Sequence, residues 1–76
     1  MIQINLKLFV TLVRYLPPNN DKFNIKEGTT VEMLIKDLGI PEDSVKLIFV
    51  DGKKQDKTYC LKNNERIGLF PPVGGG

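Results

Sequence analysis

Histidine, cysteine and serine, the side chains of the common nucleophile–base pairs, are nearly missing from this 76-residue chain. It has no histidine, its cysteine is Cys60 alone and its serine is Ser44 alone. No Ser–His or Cys–His nucleophile pair can be assembled from these, and no Cys/His zinc site. The neighbouring carboxylates, Glu42 with Asp43 and Asp51 with Asp56, and the separate Asp21, stand in turn-like contexts and read as surface residues. What remains is the chain end, Gly74-Gly75-Gly76. Glycine has no Cβ, so such a terminus can thread a narrow channel, take positive φ and leave its carbonyl open to attack. A free carboxylate is nonetheless a poor acyl donor. Gly76 becomes reactive only after conversion to a mixed anhydride or thiocarboxylate, and an external ATP-using enzyme must do this, because the chain has no Gly-x-x-x-x-Gly-Lys-Ser/Thr loop.

The rest of the composition narrows the classes. A chain of this length holds one small domain. Eleven basic and nine acidic residues give a formal charge of +2, spread too evenly to point to nucleic acid or a membrane surface. The densest basic stretch, Lys53, Lys54 and Lys57, sits beside Asp51 and Asp56 and reads as solvated loop lysines. No apolar run approaches the roughly 20 residues that span a bilayer. A lone cysteine forms no internal disulfide, and no leader pattern opens the chain, so a cytoplasmic location is expected. Between Tyr59 and Leu61, Cys60 reads as a small buried hydrophobe, with no histidine available to activate it.

These features need elements to position them. Ile2, Ile4, Leu6, Leu8 and Val10 alternate with Gln3, Asn5, Lys7 and Phe9, which predicts a half-buried strand over 2–10. Leu12 to Leu16 is apolar but irregular, and Pro17-Pro18-Asn19-Asn20-Asp21 forces a turn or loop. A short strand fits Lys22 to Ile25, with Phe23 and Ile25 inward. Either Thr29 or Thr30 can cap a helix, and Thr29 with Glu32 has capping-box spacing. Val31, Leu34, Ile35 and Leu38 make its apolar stripe, Gly39 suits the left-handed position after it, and Pro41 stops it. Lys46 to Val50 reads as a strand ended by the Asp51-Gly52 turn. Tyr59-Cys60-Leu61 reads as a short extended segment, Asn63-Asn64 as a turn, and Arg66 to Phe70 as the last strand, with Ile67 and Leu69 inward. One helix against several strands predicts an α+β layer architecture, with a β-grasp as the leading topology and the first and last strands adjacent at its centre.

Residues 1–70 would form that domain, and Pro71-Pro72-Val73-Gly74-Gly75-Gly76 a projecting tail with a reach of roughly 20 Å at ~3.3 Å per residue. The prolines stop further pairing and restrict the base of the arm. Phe9 and Phe70 both fall on the polar face of their strands. If those strands are neighbours, the rings make an exposed apolar patch at the base of the tail, with one face of Leu47 to Val50, and such patches mark partner sites. The other reading is that the Leu12 to Leu16 segment covers them.

Leu8-Phe9 leading to Leu12-Val13-Arg14, Glu27-Gly28-Thr29-Thr30-Val31, Leu38-Gly39-Ile40-Pro41, Val50-Asp51-Gly52 and the ending Leu69-Phe70-Pro71-Pro72-Val73-Gly74-Gly75-Gly76 resemble the MoaD/ThiS family of ubiquitin-like sulfur carriers. The Phe-Pro-Pro-Val ending is more similar to the small subunit of molybdopterin synthase than to the thiamine-pathway carrier. The resemblance implies a β-grasp with no bound cofactor and no catalytic side chain. It implies that an E1-like adenylyltransferase activates Gly76 with ATP and magnesium, and that a persulfide donor then converts it to a thiocarboxylate. Residues 71–75 would carry it into the large subunit of molybdopterin synthase or another sulfur acceptor enzyme. Asn64-Glu65 stands where the family often has Gly-Asp, and asparagine tolerates the left-handed conformation that turn needs. Other classes stay open: a carrier for thiamine, tRNA or cysteine pathways, a modifier conjugated to lysines through Gly76, or a binding module with an inert tail.

Overall fold

The computed structural model describes residues 1–72. Its strands are β1 (Ile2–Leu8), β2 (Phe23–Ile25), β3 (Leu47–Val50), β4 (Lys53–Gln55) and β5 (Arg66–Phe70), with one α-helix, α1 (Val31–Asp37). They form one five-stranded sheet in the order β2-β1-β5-β3-β4. β1 and β5 pair in parallel, and every other pairing is antiparallel. This is the β-grasp arrangement expected as the leading topology, with the last strand at the centre of the sheet and beside the first.

Period-2 alternation decides which face each strand buries. Ile4, Leu6 and Leu8 of β1, Ile48 and Val50 of β3, and Ile67 and Leu69 of β5 point into one core, where Val31, Leu34 and Ile35 of α1 meet them. The helix starts at Thr30, whose hydroxyl accepts the Met33 N–H at 3.3 Å. Thr29 does not cap it. Its Oγ1 donates to the Lys26 carbonyl at 2.6 Å and it is buried, so the expected Thr29–Glu32 capping box does not form. Gly39, at φ 78°, takes the left-handed position that ends the helix, and its N–H donates to the Lys36 carbonyl.

Three expectations need correction. The first strand stops at Leu8, and Val10, expected to point inward, is 71% exposed with φ 56°. The chain turns here into a 3-10 helix, Val10–Tyr15, so that Leu12 rather than Val10 reaches the core. Lys53 to Gln55 is not a loop. Asp51 (φ 51°) and Gly52 (φ 82°) make a tight hairpin turn that returns the chain along β3 as β4, an edge strand whose lysines suit an exposed sheet margin. The Tyr59-Cys60-Leu61 segment makes only an isolated bridge, Thr30↔Cys60, because it crosses the start of α1 instead of joining the sheet.

A β-branched residue in the left-handed region costs on the order of 1–2 kcal/mol, and an exposed Val10 recovers little of that by burial. Val10→Asn is expected to raise the thermal midpoint by a few degrees, measured by circular dichroism. An unchanged or lower midpoint would show that the turn carries no strain.

Candidate functional site

The strand end that leads toward the C-terminus carries an aromatic cluster on the sheet face away from α1. β1 and β5 run side by side, and the Phe9 N–H continues their ladder by donating to the Leu69 carbonyl at 3.2 Å. That places Phe9 beside Phe70, and the rings stack with centroids 4.2 Å apart and planes 2° from parallel. Phe49, one strand over, meets Phe70 edge-on at 5.6 Å and 82°. Such contacts contribute about 0.5–1.5 kcal/mol beyond area burial. Phe9 nonetheless stays 36% exposed, and Leu12 is buried in the core, so the segment after Phe9 does not cover the rings.

Beside the stack lies an open groove of about 390 Å³, whose lining includes Phe9, Phe49, Gly68 and Phe70, with Lys7 and Arg66 among its polar groups. Gly68 has no backbone requirement for glycine, since its φ is not positive. Its role is space: a Cβ there would meet Phe9 Cε2 at 3.3 Å. A side chain at 68 would require the Phe9 ring to give by a few tenths of an ångström, so glycine in the central strand leaves room for the aromatic rings to pack close over it. The sequence reading found Phe9 and Phe70 from their position on the polar face but gave no role to Gly68, and the signal available was a glycine inside an alternating strand.

β5 ends where its donors end. The Lys46 N–H donates to the Phe70 carbonyl at 2.7 Å, and Pro71 and Pro72 then have no N–H to offer a neighbour. Pro71 is half-buried and Pro72 exposed, immediately after the cluster. Val73, Gly74, Gly75 and Gly76, the remaining tail residues singled out in the sequence, lie outside the described residues.

A second group of polar residues fixes the turn that delivers β5. Asn64 takes φ 68°, as expected for an asparagine in that position, and its N–H donates to the Gln3 carbonyl at 2.7 Å. The Asn5 N–H donates to the Glu65 carbonyl at 2.9 Å. Glu65, which sequence reasoning did not single out, is a buried carboxylate: Tyr59 O–H donates to its Oε2 at 2.5 Å and the Lys62 N–H to its Oε1 at 2.6 Å. Held on that carboxylate, the Tyr59 hydroxyl has its pKa pushed up to about 12 from 10.0. The raised value means that the folded state favours the neutral phenol. This contribution is therefore complete below pH 10 and is lost as pH rises toward 12. Tyr59→Phe is expected to melt with a shallower loss of stability across that alkaline window than the parent. Equal slopes in parallel pH melts would show that the phenol and carboxylate are not coupled.

Cys60 is exposed, against the expectation of a buried hydrophobe. Its neighbour Leu61 is buried and Tyr59 packs against the core, and in an extended segment the residue between them must face out. Among the described residues no group of three or more His, Cys, Asp or Glu is placed to hold a metal ion, and no helix is long and apolar enough to cross a membrane.

The model of the ThiS family matches residues 6–76, nearly the whole chain and its glycine ending. The chain belongs to the ThiS family. The resemblance to ubiquitin-like sulfur carriers drawn from its motifs is thereby shown. No curated protein matches this member of the family. Among solved structures it is similar to a protein described as molybdopterin converting factor subunit 1 from Pyrococcus furiosus, with 20% identity, a TM-score of 0.72, and coverage of 96% of this chain and 100% of that one. It is similar also to SAMP1 from Haloferax volcanii, with 20% identity, a TM-score of 0.66, and coverage of 97% and 99%. At such identity these likenesses concern the fold, and they agree with the β-grasp topology.

Proposed function

We propose that this chain carries sulfur as a thiocarboxylate on Gly76 and donates it in molybdopterin biosynthesis. An E1-like adenylyltransferase using ATP and magnesium joins the Gly76 carboxylate to AMP and releases pyrophosphate. The terminal sulfur of a persulfide donor then attacks the acyl carbon and AMP leaves. Thiol cleavage of the resulting acyl disulfide leaves the thiocarboxylate. None of these steps needs a side chain of this chain, which suits a sequence without histidine, in which Asp51 and Asp56 are held by backbone N–H groups.

The observation that carries the reading is the family match running to residue 76, in a chain whose central strand ends beside an exposed aromatic cluster. Phe9 and Phe70 are read as the docking surface, with residues 71–75 as the arm that enters a partner's active site. The acceptor proposed is the large subunit of a molybdopterin synthase, since the Phe-Pro-Pro-Val ending resembles that branch and one structural neighbour bears the name of a molybdopterin converting factor.

Intact mass spectrometry after incubation with the adenylyltransferase, ATP, magnesium and a persulfide donor tests this. The expected product gains the mass difference between sulfur and oxygen at the C-terminus. Branched glycine remnants on lysines of other proteins, with no thiocarboxylate, would establish the conjugating modifier instead. Cys60→Ser is expected to accept sulfur at the parent rate, because Cys60 is exposed on a segment bridged to Thr30 at the start of α1 and belongs to neither the cluster nor the tail. Loss of loading in a folded Cys60→Ser chain would give the thiol a role.

A further inference from the structure

The near-neutral charge of the whole chain hides an uneven distribution. Register places Lys7, Gly68, Phe49 and Lys54 in one row across β1, β5, β3 and β4, on the face away from α1. Arg66 lies on the same face, at the other side of Gly68 from Phe70. The ion pair found among the described residues is Lys57–Glu42, so Lys7, Lys54 and Arg66 have no carboxylate within 4.0 Å there. Asp51, the acidic residue beside them, uses Oδ1 to accept the Arg66 backbone N–H at 2.9 Å. Asp21 lies with Arg66 at a separate polar pocket that also includes Asn5, without pairing with it. Glu27, Glu32, Asp37, Glu42 and Asp43 all fall in the segment 27–43 that contains α1, outside the five strands. Asp56, two residues after Lys54, accepts the Thr58 N–H. The aromatic groove is thus lined by Lys7 and Arg66, with Lys54 in register beside Phe49, and none of the three makes an ion pair among the described residues.

An interface with an apolar centre and a charged rim selects its partner by the sign of that rim. We propose that this face binds a protein segment that seats an apolar side chain against Phe9, Phe49 and Phe70 and presents carboxylates to Lys7, Lys54 and Arg66. The inference rests on reading Phe9 and Phe70 as the docking surface and adds the chemistry of what docks. A protein is favoured over nucleic acid because Phe9 and Phe70 stack on each other, which commits one face of each ring, and because the basic field is confined to the border of an apolar groove. Gly68 lines the groove without a side chain, and a Cβ there would lie 3.3 Å from Phe9 Cε2.

The test is ATP–pyrophosphate exchange by the cognate adenylyltransferase, with this chain varied as substrate. Lys7→Glu combined with Lys54→Glu is expected to raise KM about tenfold with kcat nearly unchanged, as for reversal of rim charges that steer association. The parent's KM is expected to rise several-fold between about 50 and 300 mM salt, and the variant's to stay flat or fall. Phe70→Asp serves as the comparison, with circular dichroism confirming that each variant is folded. A raised KM for Phe70→Asp beside unchanged values for charge reversal and salt would overturn the acidic partner while keeping the docking face. Silence of Phe70→Asp as well would remove the docking reading itself. Self-association of the parent abolished by Phe70→Asp, or tight binding of a single-stranded oligonucleotide abolished by charge reversal, would assign the face to a second copy or to nucleic acid and overturn the proposal. Failure of the parent to support any exchange would refute activation of Gly76, and the proposal would fall with it.

Discussion

A chain ending at Gly74 is expected to support no measurable ATP–pyrophosphate exchange and no sulfur loading, while melting at the same temperature as the full chain. Removing Gly75 and Gly76 leaves a glycine carboxylate at the new end, so the chemistry of the reacting group is unchanged. What changes is reach. Two residues at ~3.3 Å each withdraw the carboxylate by roughly 7 Å, and a misplacement of about 1 Å in an active site can already cost about a hundredfold. The domain's anchor on a partner cannot slide to compensate if the cluster at Phe9 and Phe70 fixes it, because that cluster sits immediately before Pro71. Exchange by the truncated chain at a rate within a few-fold of the parent would show that the enzyme does not measure the tail, and a binding module with an inert terminus would then fit better.

The central strands were legible because each has a single solution. Arg66 to Phe70 alternates without interruption, and a slip of one residue would expose Ile67 and Leu69 together while burying Arg66. The helix was equally constrained, with Val31, Leu34 and Ile35 buried and glycine and proline closing it. What sequence reasoning missed depends on contacts made at long range. Lys53 to Gln55 has no apolar residue to reveal its pairing, and β4 exists because the Asp51-Gly52 turn aims it along β3. Val10 continued an alternating pattern, but the need to bring Leu12 under the sheet broke the strand two residues earlier.

The candidate site shows the same division. Phe9 and Phe70 could be singled out as apolar residues on a polar face, and pairing of β1 with β5 makes them stack. Glu65 stands out in the sequence only as a departure from the family's usual turn, and its burial is not legible there, since a single charged residue before a strand looks like any other surface acid. Only the fold brings the Tyr59 hydroxyl and the Lys62 N–H to its two oxygens. Of the lysines read as solvated loop residues, Lys54 is set beside Phe49 by the pairing of β3 with β4, which a sequence without apolar residues at 53–55 does not show.

Adjacent residues on β5 should separate stability from recognition. Leu69 is fully buried, between Leu8 of β1 and Ile48 of β3, at the middle of the sheet and against the core that α1 covers. Leu69→Ala removes buried methyl groups and leaves a cavity that rigid flanking strands cannot close, which costs about 2–5 kcal/mol. At ~0.05–0.15 kcal/mol per residue, a domain of this length has roughly 4–11 kcal/mol in total. At about 4–8 °C per kcal/mol for a domain of this size, the expected fall in thermal midpoint is roughly 8–40 °C, and a parent near the lower bound would unfold outright. Phe70 is the next residue, but its ring lies on the opposite face and stacks on Phe9 outside the core. Phe70→Asp should cost far less stability while weakening activation by the adenylyltransferase. Thermal melts and exchange assays on both variants check this: Leu69→Ala should regain near-parent KM at a temperature where it is folded, and Phe70→Asp should not. If Leu69→Ala melts within a few degrees of the parent, the core does not run through the centre of this sheet, and the placement of the aromatic cluster outside it loses its physical basis.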